Sequence, residues 1–334
     1  MRLVQLRNGD KRRVAVVEEG RLRLLDGESS SSIYALALAA LGRGTSLTSV
    51  VEDATGKDSI DYDTVYESRS QWRLLPSFDH PEDVARCMVS GTGLTHKASA
   101  ENRAAMHTQA PTEITDSIRM YHLGLEAGNP TPGQIGVQPE WFYKGDGSIL
   151  HAHGQDLSVP PYACDGGEEA EIAGAYLISG EGQPFRVGLT VANEFSDHQM
   201  EKKNYLYLAP SKLRDCSIGP ELVIGSVAFE DLRGTVAIFR SRESVWSKRI
   251  FSGHKNMSHS LANLEHHHFK YAAHRRPGDV HIHFFGADAF SFGDDVALQD
   301  GDITEISFPQ FGRPLRNTVR IRRTPDSFVP VMVL

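Results

Sequence analysis

Three carboxylates carry the chemistry this chain announces. Glu169 and Glu171 stand at i and i+2 in the run Asp165-Gly166-Gly167-Glu168-Glu169-Ala170-Glu171. Small, apolar and β-branched residues follow them, among them Ile172, Ala175, Leu177 and Ile178, which reads as a strand. Residues two apart on a strand share a face, so both carboxylates aim into one space. A second strand-like run, Phe185 to Ala192, ends in Asn193-Glu194-Phe195-Ser196. If the two runs are neighbours, Glu194 enters the same space. Three converging carboxylates repel one another in a partly buried site. A hard divalent cation removes that repulsion, and oxygen ligands suit Mg²⁺, Mn²⁺ or Ca²⁺. The same spacing also fits a solvated strand, and the residues alone leave both readings open.

The order of motifs goes further. Glu-x-Glu and its small-apolar strand are followed by Thr190-Val191-Ala192-Asn193-Glu194-Phe195-Ser196, then Ser211-Lys212, then Ile218-Gly219-Pro220. This order resembles the fumarylacetoacetate hydrolase superfamily. The resemblance implies that Glu169, Glu171 and Glu194 bind one divalent metal, Mg²⁺ or Mn²⁺. The third acid is normally Asp in that family and is Glu here. The family's Ser-Ala-Arg-Asp is replaced by Ser196-Asp197-His198-Gln199. Further matches lie downstream: Arg276-Pro277-Gly278-Asp279-Val280, Gln299-Asp300-Gly301-Asp302-Ile303 and Leu315-Arg316-Asn317-Thr318-Val319. Where the family has Thr-Gly-Thr-Pro, this chain has His283-Phe284-Phe285-Gly286-Ala287-Asp288. The resemblance spans about residues 83–320.

It also implies further site residues. Lys212 falls at the family's second active-site lysine, and Lys144, in Phe142-Tyr143-Lys144-Gly145, at its first. A lysine beside a metal can act as a base or stay charged and hold a carboxylate or oxyanion. His96 and Glu101 stand where the family places an acid/base pair on a lid, here five apart. Such a pair can activate water; an exposed helix-start histidine and a surface glutamate are the alternative. His151/His153 and His281/His283 have same-face strand spacing, which can serve zinc, but no third ligand stands at an instructive distance. Glu265 to His268 reads as a helix face.

The elements that must position these residues are also legible. Arg13 to Glu18 and Arg21 to Leu25 read as a hairpin around Glu19-Gly20. Ser29 to Ser32 start a helix that runs Ile33 to Leu41 and ends at Gly42. Residues 1–80 form a small N-terminal α/β domain, and 81–334 the catalytic domain. Val84 to Val89 is expected as a strand, Ala98 to Met106 and Asn256 to Ala273 as helices, and 111–140 as a loop or insertion. The fold expected is α+β and β-rich, with the superfamily's rolled β-sheet core.

Composition narrows the rest. The chain has 334 residues and a net charge of −8, which argues against nucleic acid or an anionic membrane surface as partner. Cys87, Cys164 and Cys216 have no metal-ligand spacing and no disulfide framework is expected. The N-terminus lacks a signal-peptide core, and Tyr34 to Leu41 is too short to span a bilayer. A cytoplasmic protein is expected, and the resemblance suggests a homodimer.

The altered substrate motifs look like the sugar-acid branch of the superfamily. That implies a metal-dependent 2-keto-3-deoxy sugar acid dehydratase: a lysine base takes a C3 proton, an enolate forms, and the C4 hydroxyl leaves with a proton from His96/Glu101. The alternatives are C–C bond hydrolysis of a 2,4-diketo acid, with His96 and Glu101 activating water, and a non-catalytic sugar-acid binding protein.

Overall fold

The computed structural model of the chain describes residues 1–107 and 114–334. Among these, twelve strands make one sheet and five make another. The large sheet runs, in spatial order, Thr55–Asp61, Arg21–Leu25, Lys11–Glu18, Arg2–Asn8, Cys216–Val223, Pro184–Asn193, Ala170–Ile178, Val280–Phe284, Cys87–Gly91 and Phe142–Asp146. Two short strands, Arg73–Leu74 and Leu150–His151, attach to its side. The small sheet runs Glu243–Ser252, Leu232–Arg240, Ile303–Ser307, Leu315–Ile321 and Asp156–Val159. This is the β-rich mixed architecture expected. Strand Arg2–Asn8 pairs antiparallel with Cys216–Val223, Leu3 facing Leu222, so the first 80 residues extend the main sheet.

Strand Ala170–Ile178 is the axis of this arrangement. Every residue in it is buried, as a strand covered on both faces requires. Its odd residues, Ala173, Ala175 and Leu177, pack with the helices Ile33–Arg43 and Leu47–Ala54. Its even residues, Ile172, Tyr176 and Ile178, pack with the small sheet and helix Leu261–Phe269. The first helix starts where Ser32 accepts a hydrogen bond from the Ala35 N–H, and it ends at Gly44 in the left-handed conformation, a backbone state open to glycine. It therefore stops two residues later than Gly42.

Three local expectations differ from the structure. Val84–Arg86 is a 3₁₀ turn, and the strand is Cys87–Gly91; the turn is opened by Asp83, whose carboxylate accepts the Ala85 N–H. The 111–140 segment holds a helix, Asp116–Ala127, capped by Thr115; residues 111–113 lie outside the described residues. The helix expected over Asn256 to Ala273 is confined to Leu261–Phe269, because Ser260 caps its start.

His153, His281 and His283 are taken up in hydrogen bonds. The Arg316 N–H donates to His153 Nδ1 at 3.1 Å, and His153 Nε2 meets the Tyr66 carbonyl at 3.2 Å. His283 is held between Ser90 Oγ and Thr92 Oγ1, both at 2.9 Å. Trp141 Nε1–H donates to His268 Nδ1 at 3.1 Å, so the proton of neutral His268 sits on Nε2 and is donated to His281 Nδ1 at 3.0 Å. Burial keeps all three neutral. It pushes His281 down to about 4 and His283 to about 3, and lowers His268 well below the usual range.

The sign of the pH effect follows. Unfolded, these imidazoles bind protons below about pH 6.5; folded, they do not. Stability is therefore intact above that pH and falls as pH drops toward 4, by about 1.4 kcal/mol per pH unit for each such group. Side-chain ¹⁵N titration should place His281 and His283 below pH 5. A transition of either near 6.5 would contradict the buried neutral chain.

Candidate metal centre and active site

Two strand ends build the centre. Glu169 sits just before strand Ala170–Ile178 and Glu194 just after Pro184–Asn193. The Glu194 N–H donates to the Glu169 carbonyl at 2.9 Å, and the Asn193 side-chain carbonyl accepts the Glu169 N–H at 3.2 Å. Gly167 and Ser196 close the next rung by exchanging both backbone hydrogen bonds, at 2.9 and 3.0 Å. The two segments expected to be neighbours are neighbours, and the three carboxylates converge. Glu169, Glu171 and Glu194 are buried, with one ligand oxygen of each within 4.8 Å of the others. Among the described residues, no other group of His, Cys, Asp or Glu side chains gathers closely enough to hold a metal.

Each carboxylate is fastened differently. Glu169 Oε1 accepts from Lys212 Nζ at 2.6 Å and pairs with His198 Nε2 at 3.0 Å. Glu194 is held through both oxygens: Oε1 by Lys144 Nζ at 2.8 Å and by Ser196 Oγ at 3.0 Å, Oε2 by Lys212 Nζ at 2.9 Å. Glu171 has a single donor among the described residues, the Gly286 N–H, 2.7 Å from Oε2. One oxygen each of Glu169 and Glu171 is thus left for a further partner. Burial raises the Glu171 carboxyl well above its usual range, and the charges of Glu194 and Glu169 add to this. Glu169 goes the other way: Lys212 and His198 outweigh its burial and hold it well below that range. A carboxylate cluster with a member lacking a cation fits a hard divalent ion.

Lys144 and Lys212 both stand against the carboxylates. Lys212 ends the short helix Leu208–Lys212, and Lys144 lies within strand Phe142–Asp146. Lys144 Nζ also donates to the carbonyls of Phe195 and Lys212, at 2.5 and 3.1 Å. Burial alone would lower Lys212, but the Glu169 and Glu194 carboxylates raise it above its usual value. It is an ammonium here.

The expected His96/Glu101 pair does not form. Glu101 lies on the outer face of helix Lys97–His107, 57% exposed at its side chain, and pairs with Lys97 at 3.4 Å. The five-residue spacing explains this, since only residues three or four apart share a helix face. His96 is buried. Thr95 Oγ1 donates to the Phe285 carbonyl at 2.7 Å, so it accepts from His96 Nδ1–H at 2.9 Å. His96 Nε2 then presents a lone pair that finds no partner, and burial holds the ring neutral, down to about 4. Thr95 also packs close to Gly286, where a β-carbon would lie 2.0 Å from Thr95 Oγ1.

Other residues of the centre carried no clear motif. His198 stacks on Phe290, ring centroids 4.9 Å apart, and its Nδ1 is buried without a partner. It lines a cleft of about 480 Å³ with Gly167, Lys202, Ser291, Phe292 and Arg322. Asp197 accepts the Cys164 and Met200 N–H groups and pairs with buried Arg214 at 2.8 Å. Arg103 Nη1 donates to both oxygens of Glu140, at 2.7 and 2.8 Å, and Arg103 Nε pairs with Glu201. Tyr205 O–H donates to Glu140 at 3.0 Å. The departure of Asp197-His198 from the family's Ala-Arg was the one visible sign of the first two. Arg103 had none, because its partners stand 37 and 98 residues away in sequence.

No family model matches the chain and no curated protein matches it in sequence. Solved structures do. A hexagonal crystal form of 2-keto-3-deoxyarabinonate dehydratase is similar with a TM-score of 0.70 and 19% identity, over 97% of this chain and 100% of that one. 2-Keto-3-deoxy-D-arabinonate dehydratase complexed with magnesium and 2,5-dioxopentanoate gives 0.69 and 20%, over the same shares. A 2-hydroxyhepta-2,4-diene-1,7-dioate isomerase from Mycobacterium marinum gives 0.58 and 15%, over 97% and 100%. Together with the sheet topology and the carboxylate cluster, these similarities show that this chain has the fumarylacetoacetate hydrolase-like fold.

Proposed function

We propose that the chain is a divalent-metal-dependent dehydratase of a 2-keto-3-deoxy sugar acid of pentonate size. The observation that carries this reading is the buried Glu169/Glu171/Glu194 cluster bracketed by Lys144 and Lys212. When all three carboxylates are ionised they outnumber the two ammonium groups, which favours entry of a divalent ion, and the ion in turn favours an anionic 2-oxo acid. The ion would be held by Glu169, Glu171 and Glu194, and when bound it supplies Lewis-acid polarisation of the substrate's oxo group; Mg²⁺ and Mn²⁺ both suit the donors.

The protein's own groups divide the remaining work. Lys212, kept protonated by two carboxylates, offers a buried positive charge to an oxyanion and a proton to a departing hydroxyl. Lys144, tied to Glu194 and two carbonyls, holds the cluster's shape. His96 Nε2 is an acceptor, so His96 suits taking a proton rather than giving one. The C3–H proton goes to a base of the protein, the C4–O bond breaks, and the hydroxyl leaves as water. For a pentonate the product, after tautomerisation, is a 2-oxo acid semialdehyde. The similar dehydratase that holds magnesium and 2,5-dioxopentanoate supports this reading. Glu101, exposed and paired with Lys97, gives the hydrolase alternative no support from a His96/Glu101 pair.

The test is turnover of a panel of 2-keto-3-deoxy sugar acids and 2,4-diketo acids, with Mg²⁺ or Mn²⁺ and then with EDTA, read by mass. A product lighter by one water, lost on chelation, is expected. Two carbon fragments would establish hydrolysis instead, and ligand binding without any product would establish a binding protein.

A further inference from the structure

Residues 328–334, Phe-Val-Pro-Val-Met-Val-Leu, belong to no helix, strand or turn. Six large apolar side chains there, Phe328, Val329, Val331, Met332, Val333 and Leu334, are each at least 79% exposed. Among the described residues, no hydrogen bond, ring contact or ion pair ties this arm to the body. A contiguous apolar strip of this kind gains by leaving water. Its sequence says how. β-Branched residues alternate at 329, 331 and 333, which suits a strand. Along a strand, alternate residues turn their N–H and C=O groups to opposite sides. Pro330 has no N–H, so the side it shares with 328, 332 and 334 cannot pair fully. The other side, through Val329, Val331 and Val333, can.

An edge that fits this side is open on the body. Strand Glu243–Ser252 ends the small sheet. The Phe251 N–H turns away from its neighbour Leu232–Arg240 and donates to Asp288 at 3.0 Å. By alternation Arg249 and Ser247 turn the same way, and their outward groups pair with nothing among the described residues. Val245 and Phe251 are exposed beside them, at 43% and 37%.

We propose that the 328–334 arm of one copy adds as a strand to the free Glu243–Ser252 edge of a second copy, reciprocally. The arm leaves from strand Leu315–Ile321, the fourth of the five strands counted from that edge. A place beyond its own Glu243–Ser252 edge lies four strand spacings away, about 19 Å. The six-residue linker 322–327 spans about 20 Å only when fully extended, which lays the arm across the strands and not along them. A second copy meets no such limit. Two-fold exchange buries two arms and two edges, on the scale of the 1,200–2,000 Å² or so that a specific interface buries in total.

Light scattering after size exclusion tests this on the full chain and on a chain shortened to residues 1–326, with circular dichroism confirming that both are folded. A dimer that becomes a monomer on shortening is expected. A monomeric full chain, or a shortened chain that stays dimeric, would overturn the proposal. Mixing a V331C chain with an S247C chain, both carrying C164S, and oxidising mildly should give a disulfide-linked pair of different chains. No such pair would overturn the assignment of the edge.

Discussion

Glu171→Gln is expected to abolish divalent-ion binding and, at pH 7, to make the ion-free protein more stable than the parent. Glu169 and Glu194 have lysines at hydrogen-bond distance; Glu171 has the Gly286 N–H alone. At pH 7 the folded protein must either strip water from an unpaired carboxylate or hold a proton on it, and both cost free energy that the unfolded chain does not spend. For an acid raised on folding, stability falls as pH rises above the unfolded value of about 4.3. Glutamine carries no such penalty, and its amide oxygen still accepts the Gly286 N–H. It supplies no anionic ligand. Titration calorimetry with Mn²⁺ should show affinity weakened more than about 100-fold, beyond the 10–100-fold that losing a supporting partner costs. The melting temperature without ion should rise, and added Mg²⁺ should no longer shift it. Parent-like Mn²⁺ affinity in E171Q would remove Glu171 from the ligand set.

Arg103→Met should destabilise the folded protein by about 3–5 kcal/mol, because it strands two buried carboxylates. Arg103 is 6% exposed and fastens helix Lys97–His107 to Glu140 and Glu201. Burial alone would lower the guanidinium, but Glu140 and Glu201 raise it further above its usual value. Lysine should not rescue the site, since one ammonium cannot donate to both carboxylates with the geometry of a guanidinium. Removing the stranded charges should: R103M/E140Q/E201Q should recover much of the loss. Urea unfolding at pH 7 measures all three proteins. A cost under about 1 kcal/mol for R103M would show that the two carboxylates find other partners.

The carboxylate cluster was legible because strand alternation is a strict rule. Glu169 and Glu171 share a face whatever surrounds them, and the Asn193-Glu194 rung needed only that the two strands be neighbours. The lysines followed from motif order. The lid pair failed for an equally simple reason: five residues along a helix place Glu101 away from His96, and the free energy of an exposed glutamate with Lys97 nearby gives it no cause to turn inward. Arg103, His198 and the His268–His281 chain are products of tertiary contact. Nothing within a few residues of Arg103 foretells Glu140 and Glu201, and nothing near His268 foretells Trp141. The break between the Val84 turn and the following strand depended on one Asp83 side-chain bond, below what a hydrophobic pattern can register.

Lys144 and Lys212 have a consequence for how such a protein is assembled in a cell. Sites whose ligands have no internal counter-charge cannot close until metal arrives, and their chains fold only as they load. Here two ammonium groups already hold Glu194 from both sides and Glu169 from one. The scaffold can be completed at synthesis and charged afterwards. If the cluster takes the ion proposed above, loading would be a separate event from folding, and the supply of hard ions around the finished protein would help set which one enters.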